Sequence, residues 1–555
     1  MLRDNPRHPP TAWPVFAFAL LAVLTASGLI RPLQPIDETR YAAVAWEMWA
    51  RGDLLLPVLN GEPYPHKPPL LFWLIHAGWA LFGVNEWWLR LLSPLFAAGT
   101  LALMASMAAR LWPQWRDIAP AAGCVLVASG LYAYFATALM FDTLLGFFCT
   151  LGWLGLVRAW RDEHAARGLV LLGCGIAGGL LCKGPAALLH LLPVALAAPL
   201  WMREKPLHLR LWWHWYGGIA LATAVATVPV LAWAIPAARA GGAAYGDAIF
   251  WGQTAGRMVD SFAHQAPAWL YIAILPLMLV PWLAWPRWWR RLGPAWRVEV
   301  AVRFLIAGAL LPLLGFSMVS GKRAHYLLPE FVLFALLVAR GLIRSDSTRW
   351  SLALPAGSLL AAGAALSIAA PRAADALGAP QVAQGLLPGS LVVMVCGMAM
   401  LPWRAASAGG EVRTVATATV VAMAALSAGF SLAFRDSHDL QATANRLAEL
   451  ERAGRPAAFV GRYHGQWTFA GRLQRPLTEL QPRELAAWLE ANPTGRALTV
   501  TRNPGEWPRD TQLVDLRRYR GAWLAELAKD EPPLSALKPA APPAISMQQP
   551  EPVSW

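Results

Sequence analysis

The apolar positions of this 555-residue chain fall in long uninterrupted runs, with polar residues confined to the gaps between them. Such runs lie near 13–31, 87–109, 119–137, 138–157, 168–182, 185–200, 215–236, 267–285, 304–319, 324–339, 350–370, 384–402 and 414–434. A bilayer core needs roughly 20 apolar residues of helix, so the pattern predicts about thirteen spans, the shorter ones tilted or extended. The run from Pro69 to Phe82 is too short to cross and predicts a helix lying in the interface. Beyond residue 434 the pattern changes. LQATANRLAELERAG reads as an amphipathic helix, AAFVG, QWTFAG and RALTV as short strands, and RELAAWLEANP as a second helix. The expected fold is therefore a mainly α, polytopic membrane helical bundle over 1–434, with a polar outer segment and interfacial helices at 32–86. A small soluble α/β domain at 435–531 and a Pro/Ala-rich disordered tail at 532–555 complete it.

Composition agrees with a membrane protein. Hydrophobic residues make up 57% and charged residues 14%, where a soluble chain would carry about a quarter charged. The net charge of +14 would suit a nucleic-acid partner, but the basic residues cluster between apolar runs, which excludes that reading in favour of orientation. With the N-terminus inside, the inner segments include RAWRDEHAAR, REKPLHLR and RWWRRLGPAWR and hold about twice the Lys and Arg of the outer ones. The first run, after Arg3 and Arg7, is read as a retained helix rather than a cleaved signal. An odd number of spans then places the C-terminal domain on the periplasmic side of a bacterial inner membrane, with the N-terminus cytoplasmic. Cys124, Cys149, Cys174, Cys182 and Cys396 all sit within apolar runs without metal spacing and read as packing residues.

Charge that topology does not ask for is the informative kind. The segment from Asp37 to Arg90 carries Asp37, Glu38, Glu47, Asp53, Glu62 and Glu86, together with His66 and Lys67. Asp142, Lys183, Arg257, His264, Lys322, Arg323, His325 and Tyr326 fall on the same outer side, as do Arg31, Arg40, Arg51, Arg239 and Arg372. Ionisable groups held at or below a membrane surface point to function. Carboxylates among several cations suit a phosphorylated ligand and a proton-accepting or acceptor-aligning group. Individually, Asp37 and Glu38 also fit a helix N-terminus, Asp142 a buried ion pair, and Lys183 and Arg257 snorkelling to headgroups. Lys67-Pro68-Pro69 has mechanics of its own. Proline opens a helix without losing a hydrogen bond, so the motif fixes a lysine at an already positive helix end, which favours an anion opposite. His66 and His264 are the candidates for a divalent metal; no cofactor is otherwise required.

These residues lie in blocks with a familiar order: DETRYA, LNGEPYPHKPPL and LFGVNEWWLRL, then MFD at 140–142, CKGP at 182–185, GR…H…W at 256–269 and GKRAHYLLP at 321–329. In this the chain resembles bacterial members of the protein O-mannosyltransferase and aminoarabinose transferase superfamily, membrane glycosyltransferases of GT-C type that use polyprenyl-phosphate sugars. The resemblance implies Asp37 and Asp142 as catalytic carboxylates, and Lys67, Lys183, Arg257 and Lys322 as ligands of donor or acceptor phosphate. It implies Glu38, Tyr64 and Tyr326 as cavity-lining residues. It departs at His66, where the aminoarabinose transferases carry an acidic residue, and this leaves the sugar open. The expected activity is inverting transfer from a polyprenyl-phosphate-linked sugar to an envelope acceptor, lipid A or a related glycolipid, by a monomer embedded in the bilayer. The alternatives are transfer to protein Ser/Thr, a flippase for a lipid-linked sugar, and a noncatalytic paralogue. The flippase is disfavoured because the charges gather on one side and no internal repeat is visible.

Overall fold

The computed structural model describes residues 13–161, 165–202, 209–256, 266–345, 347–348, 350–377, 380–438, 440–503 and 511–529. The chain divides into two compact units, Met1–Arg435 and Asp436–Trp555. In the first unit, eight described helices are long and apolar enough to cross a membrane: Glu86–Leu111, Phe141–Arg161, Ala165–Lys183, Arg210–Gly241, Val300–Met318, Ala353–Ala376, Gln381–Met400 and Ala408–Phe434.

Five of the thirteen expected spans are shorter. The runs at 13–31, 119–137, 185–200 and 324–339 form Trp13–Leu29, Ile118–Val127, Ala186–Leu196 and Glu330–Ile343. The run at 267–285 is broken further, into Leu270–Met278 and a 3₁₀ turn at Trp282–Ala284. Pro281 precedes that turn, and its missing N–H and fixed φ interrupt the α-helical ladder. Apolar length alone did not register such breaks.

The polar segment is itself helical. Asp37–Ala50 is a surface helix opened by Asp37 and Glu38, where negative charge suits the exposed N–H groups. Strands β1 (Val58–Leu59) and β2 (Glu62–Pro63) follow as a hairpin whose turn, Asn60-Gly61, takes positive φ at both residues. That is the Asn-Gly turn that tight hairpins favour. The Glu47 carboxylate accepts the N–H groups of Asn60 at 2.7 Å and Gly61 at 3.0 Å, pinning the turn to the helix. Burial pushes the Glu47 carboxyl up from its ordinary value, and those two N–H groups partly oppose the shift. The interfacial helix Leu70–Phe82 begins directly after Pro69, and His76 on it bonds the Ala45 carbonyl at 2.7 Å.

Phe141–Arg161 and Ala165–Lys183 pack along each other as antiparallel neighbours. A glycine seam sets their distance. A Cβ on Gly155 would stand 2.5 Å from the Leu172 nitrogen, and one on Gly168 would stand 2.5 Å from the Gly155 oxygen. Backbones this close exclude any side chain, as small-residue membrane interfaces require.

The second unit holds a five-stranded mixed sheet of β3 (Ala457–Val460), β4 (Thr478–Leu480), β5 (Arg496–Thr501), β6 (Gln512–Tyr519) and β7 (Ala522–Ala528), in the order β4-β3-β5-β7-β6. Helix Gln441–Arg452 packs over a core of Leu447, Leu450, Phe459, Trp467 and Leu498. QWTFAG is a helical turn at Thr468–Gly471, not a strand, with Trp467 stacked on Tyr463 in that core. The Pro/Ala-rich tail at 532–555 lies outside the described residues.

Candidate active site

Helix starts and ends bring distant charges together. Asp142 lies in the first turn of Phe141–Arg161, and Lys183 is the last residue of Ala165–Lys183. Because the two helices run antiparallel along the glycine seam, these termini coincide. The Lys183 ammonium donates to Asp142 Oδ1 in an ion pair closed off from solvent. The same ammonium lies 4.5 Å from the centre of the Tyr326 ring, a cation–π contact that adds to the pairing.

Asp37 projects from the start of the surface helix. One carboxylate oxygen accepts from Arg40, one turn along the same helix. The other accepts from Arg323 Nη1 at 3.4 Å, across 286 positions of sequence. Lys67 stands nearby on the KPP segment, its ammonium 5.4 Å from the Phe141 ring and 6.0 Å from the Tyr41 ring. Tyr41 and Phe141 themselves meet edge to face, so Lys67 is placed between the Asp37 helix and the Asp142 helix.

His325 reports the shared field. Burial above all, joined by the cations Lys183, Arg323 and Lys67 and opposed by Asp142, lowers its imidazole to about 4. It is therefore neutral at physiological pH, an uncharged ring among charges, in contact with the rings of Phe135 and Tyr326. Asp142, Lys183, Lys67, Arg323 and Asp37 thus form one electrostatic cluster with two carboxylates and several cations.

Two expected site residues are engaged by backbone and side-chain partners of their own. Glu38 is buried. Its carboxylate accepts from Arg31 at 3.1 Å, the Gln34 N–H at 2.6 Å and the Leu139 N–H at 2.8 Å. It clasps the start of the surface helix to the segment leading into Asp142, which sequence adjacency to Asp37 could not distinguish from a place lining the cavity. Lys322 is likewise buried, its ammonium donating to the Ala266 carbonyl at 2.9 Å and to the Val319 carbonyl. It ties a loop together, and its neighbour Arg323 is the residue that reaches the cluster.

Tyr64 is buried, with its ring 5.1 Å from that of His66. Arg257 and His264 lie outside the described residues. Among the described residues, no group of three His, Cys, Asp or Glu side chains is arranged to hold a metal ion. In the sequence Arg40 is visible only as surplus outer charge, and Arg323 as a member of the outer cluster without a role of its own. The signal that could have singled out Arg40 is its spacing, one helical turn after Asp37. A separate cavity of about 480 Å³ lies where helix Leu209–Gly241 meets Ala243–Asp247, lined by Arg239, Asp247, Phe250 and Trp251 among others; none of the clustered residues lines it.

The fold is of the GT-C type found in membrane glycosyltransferases, and the chain is a multi-pass membrane protein. Its superposition on the crystal structure of ArnT from Cupriavidus metallidurans bound to undecaprenyl phosphate covers 93% of this chain and 98% of that one, with a TM-score of 0.74 at 18% identity. Residues 66–233 match the family model of dolichyl-phosphate-mannose-protein mannosyltransferase. Over 364 residues the chain is 34% identical to the undecaprenyl phosphate-α-4-amino-4-deoxy-L-arabinose arabinosyl transferase of Pseudomonas paraeruginosa, a match spanning 63% of this chain and 62% of that protein. The corresponding enzyme of Pectobacterium carotovorum is also 34% identical, over 58% of this chain and 57% of its own length. The chain thus spans about three fifths of the length of the curated relatives it matches. The likeness to the O-mannosyltransferase and aminoarabinose transferase superfamily holds in sequence and in fold.

Proposed function

We propose that the protein is an inverting glycosyltransferase that moves a sugar from a polyprenyl-phosphate donor to an envelope glycolipid, lipid A or a relative of it, at the periplasmic face of the inner membrane. The observation that carries this reading is the cluster itself: Asp37 held at a helix start by Arg40 and Arg323, with Arg323, Lys67 and the Asp142–Lys183 pair all acting on His325. The relatives named for undecaprenyl phosphate-linked aminoarabinose, and the ArnT structure with undecaprenyl phosphate, support the donor class. His66 before the KPP lysine leaves the sugar itself open.

In this reading an acceptor oxygen attacks the anomeric carbon while the bond from that carbon to the donor phosphate breaks. The electron pair of that bond leaves on the phosphate oxygen, giving free polyprenyl phosphate. A hydroxyl acceptor gives its proton to Asp37; a phosphate acceptor has none to give and is only aligned. The donor phosphate gains one negative charge in either case, and Lys67 and Lys183 stand where fixed cations can offset it. Asp142 holds Lys183 in place. The N-terminus is then cytoplasmic and the C-terminal unit periplasmic.

Purified protein supplied with radiolabelled polyprenyl-phosphate sugars and candidate glycolipids tests this. A new glycosidic product formed in detergent, where transport has no meaning, is the expected result. Normal transfer by a well-expressed Asp37→Asn variant would refute the catalytic assignment. Lipid A mass spectra from a deletion strain identify the acceptor, and transfer to a Ser/Thr peptide instead would move the protein to the mannosyltransferase branch.

A further inference from the structure

Helix Leu209–Gly241 turns one face outward along its length. Leu221, Val225, Val228 and Ile235 are exposed at helical spacing. On a membrane-crossing helix such an apolar stripe faces lipid. Arg239 is exposed one turn beyond Ile235 on the same stripe, at the level where a long cation meets headgroups. It is also one of the outer cations that the transfer chemistry leaves unused. The chain then reverses. Gly242 takes a φ of 82°, which glycine adopts at no steric cost. The short helix Ala243–Asp247 folds back so that a Cβ on Gly246 would lie 3.4 Å from the Ala238 Cβ. Tyr245 on that helix is buried with Trp233, Ala237, Leu56 and Val58, and the Trp233 indole N–H donates to the Leu55 carbonyl at 2.9 Å. The reversal is thus anchored to the chain at β1.

The fold-back brings Asp247 to the same cavity as Arg239, a space of about 480 Å³ that the exposed rings of Phe250 and Trp251 also line. Among the described residues, neither the Arg239 guanidinium nor the Asp247 carboxylate makes a hydrogen bond or an ion pair. Opposite charges that line one cavity without pairing with each other are both open to a ligand. A ligand that answers both carries an anion and a cation close together. The cavity lies at the lipid-facing end of a span, with a guanidinium suited to phosphate oxygens and rings suited to the membrane–water boundary. That setting selects a phospholipid headgroup. The carboxylate narrows the choice. It repels a headgroup of net negative charge, and it gains a charge-assisted hydrogen bond only from a cation with an N–H to donate. A quaternary ammonium has none, whereas a primary ammonium donates readily.

We propose that this cavity is a phospholipid site selective for a headgroup of one phosphate and one primary ammonium, with Arg239 on the phosphate and Asp247 on the ammonium. None of the clustered transfer residues lines it, and it stands independently of the transfer reading. Full-length protein stripped of lipid in detergent is titrated with dioleoyl phosphatidylethanolamine, phosphatidylcholine and phosphatidylglycerol, and bound lipid is counted by native mass spectrometry. The wild type should bind its first phosphatidylethanolamine about fivefold or more tighter than either of the others. Asp247→Asn should bring the three lipids within about twofold of one another, and Arg239→Gln should weaken all three. Differential scanning in lipid-free detergent should find both variants as stable as the wild type. Arg239→Lys, which keeps the charge, should retain most of the binding and serves in place of the glutamine variant if that one fails to fold. A wild type without the preference, or a preference that Asp247→Asn keeps, overturns the proposal. So does tighter binding of purified lipid A than of phosphatidylethanolamine that Arg239→Gln abolishes, which would give the cavity to a glycolipid.

Discussion

Asp142 and Lys183, 41 residues apart in sequence, meet because two antiparallel helices end at the same level. Their pairing is both a site element and a structural necessity, since each would otherwise be a buried lone charge. Removing one partner should therefore be severe. Asp142→Asn or Lys183→Met should each cost about 3–5 kcal/mol, read as a lowered midpoint of thermal inactivation in detergent, while the Asp142→Asn/Lys183→Met double variant should cost less than the sum. Strict additivity would show that the pair is not coupled.

The glycine seam that brings those termini together makes its own prediction. Gly168→Ala places a methyl carbon 2.5 Å from the Gly155 oxygen, on backbone that cannot turn aside. Overpacking of this kind costs about 1–3 kcal/mol, and transfer activity should fall with it as Asp142 and Lys183 are forced apart. Gly217 is the control. A Cβ there meets nothing within 4 Å, so Gly217→Ala should be neutral or stabilising by up to ~1 kcal/mol from helix propensity. Differential scanning of the two purified variants separates these outcomes.

Glu38 and Lys67 invite opposite expectations although both were read as site residues. Glu38→Ala leaves Arg31 buried without its carboxylate and two backbone N–H groups without an acceptor, a loss of about 3–5 kcal/mol. Lys67→Ala should leave the thermal midpoint nearly unchanged, within about 1 kcal/mol, yet weaken undecaprenyl phosphate binding. Paired stability and binding measurements check both; a stable, inactive Glu38→Ala would place that residue in the site rather than in the scaffold.

The contrast shows what the sequence could and could not disclose. Long apolar runs announce a membrane bundle because hydrocarbon leaves few alternatives, and the KPP start and the Asn-Gly turn are local rules that the structure obeys. Asp142 with Lys183 was readable as an intramembrane carboxylate that needed a mate. What escaped is non-local. Nothing adjacent to Glu38 reveals that the Leu139 N–H will arrive on its carboxylate, and nothing in Lys322-Arg323 says which cation will be spent on carbonyls. The broken helix after Leu270 escaped for a different reason, since hydropathy averages over the proline that interrupts it.

His325 gives the pH dependence. Its ordinary value near 6.5 is lowered to about 4, first by burial and then by Lys183, Arg323 and Lys67, with Asp142 the opposing charge and Phe135 and Tyr326 the rings in contact. The sign follows from which state binds the proton. Below about pH 6.5 the unfolded chain protonates this histidine while the folded chain does not, so the stability it contributes is complete above that pH and is lost progressively down to about 4. Thermal inactivation midpoints measured from pH 7.5 to 4.5 should therefore fall more steeply for the wild type than for His325→Gln. Between pH 6 and 8 the transfer rate should show no inflection that this substitution removes, because the ring stays neutral throughout. Equal slopes for the two proteins would mean that His325 titrates near its ordinary value and that the cations do not share its surroundings.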